Sequence, residues 1–218
     1  MPNLSRRTWL GLRGPSAASS CAAPVSQAIS ASREWIRQRY FPDVLLTTQD
    51  GKQVRFYQDL IMGKIVTINF MYAQCPDGVC PVTTHNLVRV QKILKDRVGR
   101  NRLGHDIFMN SITLDPEHDN PDVLKRYAKT HGAGPGWFFL TGNADDIELL
   151  RRRLGFVDPD PELDKDKTNH IGNVRYGNEV LEQWGAVPGM ANPETIATSI
   201  LYVDWPKKSA RATFAGSK

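Results

Sequence analysis

Cysteine is scarce in this chain: Cys21, Cys75 and Cys80 are all it has in 218 residues. Three are too few for a disulfide scaffold, so two that lie close together point to chemistry rather than stapling. Long apolar runs are also missing. None approaches the roughly 18 residues that crossing a bilayer requires. The chain lacks a strong charge imbalance as well: 28 Lys and Arg stand against 23 Asp and Glu, a net +5. Arg6, Arg7 and Arg13 supply three of those five charges, and the first twenty residues hold no acid. The near-balanced remainder argues against a nucleic-acid partner. The clusters Arg151-Arg152-Arg153 and Lys207-Lys208 read as solvent-facing.

The length suits one substantial core. Residues 1–30 read as an export signal or a basic leader, residues 31–205 as one domain, and residues 206–218 as a polar tail. Ser5-Arg6-Arg7-Thr8-Trp9-Leu10 resembles a twin-arginine export signal, although Arg13 and Pro15 interrupt its apolar part. Ala18-Ser19-Ser20-Cys21 has a lipidation-like pattern without the usual leucine. Both features point to a periplasmic or otherwise exported protein, with the N-terminus as a route to membrane proximity.

Ser32 to Tyr40 reads as a short helix capped by Ser32. Val44 to Thr47 and Val54 to Tyr57 flank the turn Gln49-Asp50-Gly51-Lys52 as a hairpin. Lys64 to Phe70 is apolar and partly β-branched, as a central strand should be. Pro81 suits a helix start, and Leu87, Val90, Gln91, Leu94 and Val98 continue with helical spacing towards Gly99. Asp106 to Leu114 and Trp137 to Leu140 read as strands. Pro121 to Lys129, capped by Asn120, and Asp145 to Leu154 read as helices. Val174 to Tyr176 is strand-like before a turn at Gly177-Asn178, and Pro193 to Leu201 forms a last helix. This alternation calls for an α/β fold with parallel pairing. The leading hairpin and the cysteines after the central strand make it thioredoxin-like, a central mixed sheet flanked by helices.

Cys75 and Cys80 stand where a buried strand hands over to a helix. A helix N-terminus carries unpaired N–H groups and partial positive charge, which stabilise a thiolate. Pro76 and Pro81 stiffen the connection, and Asp77 and Gly78 suit a turn. Two sulfurs four residues apart meet only if that loop folds back, and glycine makes this cheap. Such a pair can exchange a disulfide or hold a soft metal ion. A third ligand would decide between them. His85, His105, His118, His131 and His170 are the candidates, and spacing alone does not select one. The loop from Phe156 to His170 is rich in Asp, Pro and Lys and suits partner docking.

The chain resembles the Sco/SenC family of copper-handling, thioredoxin-like proteins that help assemble cytochrome c oxidase. The resemblance runs from about Val44 to Tyr202. It rests on Cys75-Pro76-Asp77, Val79-Cys80-Pro81, Leu114-Asp115-Pro116-Glu117, the stretch Leu124 to Lys129, and His170 before Val174 to Tyr176. It implies copper, Cu(I) or Cu(II), held by Cys75, Cys80 and His170, with Asp77 and Asp115 as supporting aspartates. The implied partner is the copper-centre subunit of a respiratory oxidase, or another copper protein, together with a thiol reductant protein. The family pattern has three residues between the cysteines. This chain has four, and Gly78 is most simply the insert. An extra residue re-aims one sulfur, and metal ligands must converge within tenths of an ångström.

Two readings follow. In the first the chain is a copper chaperone-like assembly factor. In the second it is a thiol–disulfide oxidoreductase acting on cysteines of a partner metalloprotein. A peroxidase is disfavoured, because Tyr72 stands where the usual threonine would precede the reactive cysteine.

Overall fold

The structure is a computed structural model that describes residues 34–35, 37–75, 78–99, 107–165 and 172–204. The chain divides into two units, residues 1–35 and residues 36–218. In the first unit the described residues, 34 and 35, are helical. The expected leader, Cys21, the cap Ser32 and the C-terminal tail lie outside the described residues.

The second unit begins with helical residues 37–40. Strands β1 (Leu45–Thr48), β2 (Gln53–Arg55) and β3 (Ile65–Met71) lead into helix α1 (Val79–Leu94). Then come β4 (Ile107–Thr113), α2 (Pro121–His131), β5 (Trp137–Gly142), α3 (Ala144–Arg153) and the short α4 (Pro161–Lys165). The chain closes with β6 (Asn173–Asn178), β7 (Gln183–Pro188) and α5 (Pro193–Tyr202).

The seven strands form one sheet in the order β2-β1-β5-β4-β3-β6-β7. Strands β3, β4 and β5 run parallel, and their connections pass through α1 and α2. β1 joins β5 antiparallel, and β6 joins β3 antiparallel. The sheet is therefore mixed, flanked by helices and led by a hairpin, which is the thioredoxin-like arrangement read from the sequence. All seven residues of β3 are buried, because both faces of the sheet are covered there. Each large side chain withdrawn from water in this layer, such as Ile68 or Phe139, contributes about 1.5–3 kcal/mol.

Side chains alternate between the two faces of β3. On one face Ser111 Oγ donates to Asn69 Oδ1 at 2.8 Å, and Trp137 Nε1 donates to Ser111 Oγ at 2.9 Å. This polar chain crosses three buried strands without leaving those groups unpaired. On the same face Trp137 stacks on Phe139, and Phe139 meets Tyr127 of α2. On the opposite face Phe70 packs edge-on against Phe156 at 4.9 Å.

Helix ends follow the sequence. Asn120 caps α2 by accepting from Val123 N–H at 3.1 Å, with Pro121 in the first turn. Asn143 and Asn192 cap α3 and α5 in the same way. Other expectations need correction. The second arm of the hairpin stops at Arg55, and Phe56–Ile61 turns as a π-helix. α1 starts at Val79, before Pro81, and its α-helical part ends at Leu94. β6 runs on through Gly177 and Asn178 to pair with β7, a strand not anticipated, and the turn falls at residues 179–182.

Arg151 also departs from the reading of a solvated cluster, with 4% of its side chain exposed. Its guanidinium holds Asp164 through two bonds of 2.6 and 2.7 Å and Glu148 through two of 2.8 and 2.9 Å. It also donates to the Phe156 carbonyl at 2.9 Å. Asp164 in turn accepts from Asp158 N–H at 2.9 Å. These bonds hold the Asp164 carboxyl far below the usual carboxylate range, with Arg151 the largest cause. The first half of the acidic loop after α3 is thus fastened to the domain by one cation. Breaking a buried pair leaves an uncompensated charge and costs roughly 3–5 kcal/mol. Arg151→Ala should lower the unfolding free energy by about that much in a urea titration, and should open residues 156–165 to proteolysis. An unchanged urea midpoint would show that the pair holds nothing.

Candidate thiol and metal centre

β3 ends at Met71, and two consecutive N–H groups then leave the sheet. Tyr72 N–H donates to Cys80 Sγ at 3.4 Å, and Ala73 N–H donates to Asp119 Oδ2 at 3.0 Å. Asp119 is 2% exposed. The same oxygen accepts from Thr113 Oγ1 at 2.6 Å, at the end of β4. Thr113 Oγ1 accepts from Asp115 N–H at 2.9 Å, and Leu114 N–H donates to the Met71 carbonyl at 2.9 Å. The two loops at the carboxyl ends of β3 and β4 are therefore clamped together beside the cysteines.

α1 opens at Gly78, which adopts φ 75° and supplies no capping side chain. A left-handed residue here suits glycine alone at low cost. Cys80 N–H, in the first turn of α1, donates to Cys75 Sγ at 3.4 Å. The sulfur does the work of a helix cap, accepting from an N–H of the first turn that has no partner within the helix. Both cysteines are reduced. Cys75 is half-buried, whereas Cys80 is 2% exposed. Cys75 is thus the sulfur that a partner can reach.

One turn further along α1, Thr84 Oγ1 and the Tyr127 hydroxyl lie 2.9 Å apart in the core. Burial first, and then the negative charge available at Cys80, Cys75 and Asp119, push the Tyr127 phenol up to about 12, against the lowering effect of the Thr84 hydrogen bond. Tyr127 is therefore a neutral hydroxyl beside the thiols at any physiological pH.

The residues expected at the site fare differently. The Cys75 sulfur meets the backbone N–H of Cys80. Asp77 and His170 lie outside the described residues, as does His105. Asp115 turns its carboxylate outward, where His118 Nδ1 donates to it at 2.8 Å. His85 is exposed on α1, and His131 packs its ring on Tyr127 at 4.3 Å. Among the described residues no group of three His, Cys, Asp or Glu side chains is placed to hold a metal ion. The described chain resumes at Gly172, whose carbonyl accepts from Gly189 N–H at 2.7 Å. A Cβ at Gly172 would sit 3.5 Å from Val79 Cγ1, and one at Gly189 would strike Thr83. The entry to β6 thus lies against the first turns of α1, next to Cys80.

Asp119 is the site residue that sequence reasoning missed. It stands in the polar run Asp115-Pro116-Glu117-His118-Asp119, where Asp115 attracts attention as part of an Asp-Pro turn. Asp119→Ala strips the acceptor from Ala73 N–H, and should cost about 1–3 kcal/mol by urea titration and shift the potential of the thiol pair. Asp119→Asn keeps an acceptor oxygen and should recover most of both. No shift in potential for the alanine variant would reduce Asp119 to a folding role.

His118 gives a separate check. Its hydrogen bond to Asp115, and then that carboxylate's charge, raise the imidazole above its ordinary value of 6.5. The contribution of this exposed pair is present below the ordinary value and is lost as pH rises through the raised one. An NMR titration should place the His118 midpoint above 6.5, and Asp115→Asn should bring it back down.

The SCO1/SenC family profile matches residues 37–201. A SCO2-like protein of Rickettsia prowazekii is 30% identical over 116 residues, 53% of this chain and 52% of that protein. A SCO2-like protein of Rickettsia felis is 31% identical over 149 residues, 65% of this chain and 67% of that one. The chain therefore spans about half to two thirds of the length of these relatives. Yeast Sco1 with copper bound superposes with a TM-score of 0.56 at 22% identity, covering 76% of this chain and 92% of that one, a likeness of fold.

Proposed function

The chain belongs to the SCO1/SenC family, and on that premise we propose that it carries one copper ion between Cys75, Cys80 and His170 as cargo for the copper site of a respiratory oxidase. The observation that carries this reading is the approach of the Cys75 sulfur to the first turn of α1, the turn that bears Cys80. Cys80 N–H reaches Cys75 Sγ at 3.4 Å despite four intervening residues. Thiolates suit soft Cu(I), and an imidazole suits both copper oxidation states. The donors fit the cargo chemically: two thiols at a helix N-terminus, with Cys75 half-buried rather than enclosed. The packing of Gly172 against Val79 supports His170 as the third donor, because it brings the residue two positions after that histidine to the residue before Cys80. A solved relative in the same fold, yeast Sco1, has copper bound.

In this reading the protein's own groups do three things. The N-terminal turn of α1 holds the Cys75 sulfur in place through Cys80 N–H. Tyr72 N–H steadies the buried Cys80 sulfur. The half-exposed Cys75 offers the side from which a recipient's ligands can displace the ion. Oxidation would remove two electrons and two protons from the thiols, join the sulfurs and withdraw both copper donors.

The second reading rests on the difference in exposure between the two sulfurs. Cys75, as thiolate, attacks a disulfide on a partner metalloprotein and forms a mixed disulfide. Cys80 then attacks Cys75 and releases the partner as a dithiol, leaving Cys75 and Cys80 bridged. Two electrons pass to the partner, and a separate thiol reductant protein must restore the pair. An exported location, through the arginine-containing leader, is compatible with both readings.

Cu(I) titration of the reduced protein, followed by mass spectrometry and X-ray absorption, separates them. The copper reading expects one ion per chain with two sulfur neighbours and a nitrogen neighbour. Cys75→Ser or Cys80→Ser should abolish binding. His170→Ala should cost more than the roughly 10–100-fold that outer-shell changes produce, and should remove the nitrogen signal. The exchange reading expects partner reduction that needs both cysteines and is indifferent to His170. Tight binding unaffected by His170→Ala would remove that residue from the site.

A further inference from the structure

A cavity of about 440 Å³ opens on the face of the sheet opposite α1. Ile68 of β3 and Leu154 form its apolar wall, and Phe41 and Trp184 flank it with aromatic rings 4.6 Å apart. Arg153 and Arg175 also line it, as do the carboxylates Glu179 and Glu182. β3 alternation sets Ile68 on the side away from Asn69 and the α1–α2 layer, so this cavity is separate from the thiol centre.

Two of its three cations, the exposed Arg153 and the half-buried Arg175, are not paired as the other arginines near it are. Arg37, which also borders the cavity, pairs with Glu179 at 2.9 Å. Arg151 is saturated by Asp164 and Glu148. Among the described residues no carboxylate pairs with Arg153 or Arg175. The contacts of Arg175 are a 3.4 Å bond to the Gly155 carbonyl and the face of Phe156 at 5.6 Å. Burial disfavours its charged form. A half-buried guanidinium that forms no ion pair with the carboxylates lining the same apolar concavity is a binding determinant for a negative group.

The two terminal segments outside the described residues supply no acidic side chain to this cavity. Residues 1–33 contain four arginines and no acid, and residues 205–218 contain Lys207, Lys208, Arg211 and Lys218 and no acidic side chain. Either would bring positive charge to positive charge. We propose that this cavity is a second binding site, for a small anionic amphiphile. Its single carboxylate or sulfonate lies on Arg175 and Arg153, and its apolar body lies between Ile68, Leu154 and the Phe41–Trp184 pair.

Two fluorescent probes test this on the full reduced chain. 8-Anilinonaphthalene-1-sulfonate carries the anion, and N-phenyl-1-naphthylamine has nearly the same body without it. The sulfonate should bind one per chain, shift the Trp184 indole resonance, and bind at least tenfold more tightly than the neutral probe. Decanoate should displace it and decanol should not. Arg175→Gln together with Arg153→Gln should weaken the sulfonate at least tenfold and leave the neutral probe unchanged. Arg153→Gln alone, at an exposed position, should weaken it at least threefold and guards against loss of fold in the double variant. Equal binding of the two probes, indifference to both arginine substitutions, or resonance shifts confined to the α1 face would each overturn the proposal.

Discussion

Two neighbouring peptide N–H groups at the end of a strand buried on both faces set the geometry of this molecule. β3 cannot continue past Met71 without exposing backbone donors to a dry interior, and each must find an acceptor. Tyr72 finds the sulfur of Cys80 and Ala73 finds the carboxylate of Asp119. One answer ties the strand to the helix that follows it. The other ties it to the loop after the next strand. The thiol centre lies where these two ties meet, at the carboxyl ends of parallel strands, where open α/β sheets leave a crevice.

Four residues separate the cysteines, a spacing that by itself does not bring Cys75 to the helix. In the fold a left-handed glycine, Gly78, precedes α1, and the sulfur of Cys75 reaches the first turn. Loop length alone is a weak guide to whether two ligands converge, because one residue with φ 75° redirects the backbone more than an extended residue would.

Much of the fold was legible because its signals are local. The apolar run of β3, the Asn-Pro starts of α2 and α5, and the cysteine pair each fix structure within a few residues. The missed features depend on distant partners. β7 contains Gly185 and Ala186 and shows little apolar alternation, so it is a strand because β6 pairs with it. Arg151 sits in a run of three arginines that reads as solvated, and only Asp164, thirteen residues on, makes it buried. Asp119 is one acid in a polar loop, and its role arises from the Ala73 peptide, 46 residues earlier in the chain. Asp115, more conspicuous in sequence, faces His118 and solvent instead.

The sulfur of Cys75 serves two masters, the end of a helix and whatever electrophile it meets. Any event that claims its lone pair, whether a metal, a second sulfur or an oxidant, competes with Cys80 N–H for the same electrons. Fraying at the start of α1 and the chemical state of the thiols are therefore linked in both directions. A partner that loosens this turn makes the sulfur more available, and a sulfur already engaged advertises its state through the conformation of the turn. The state of this sulfur is thus written into backbone shape as well as into its chemistry.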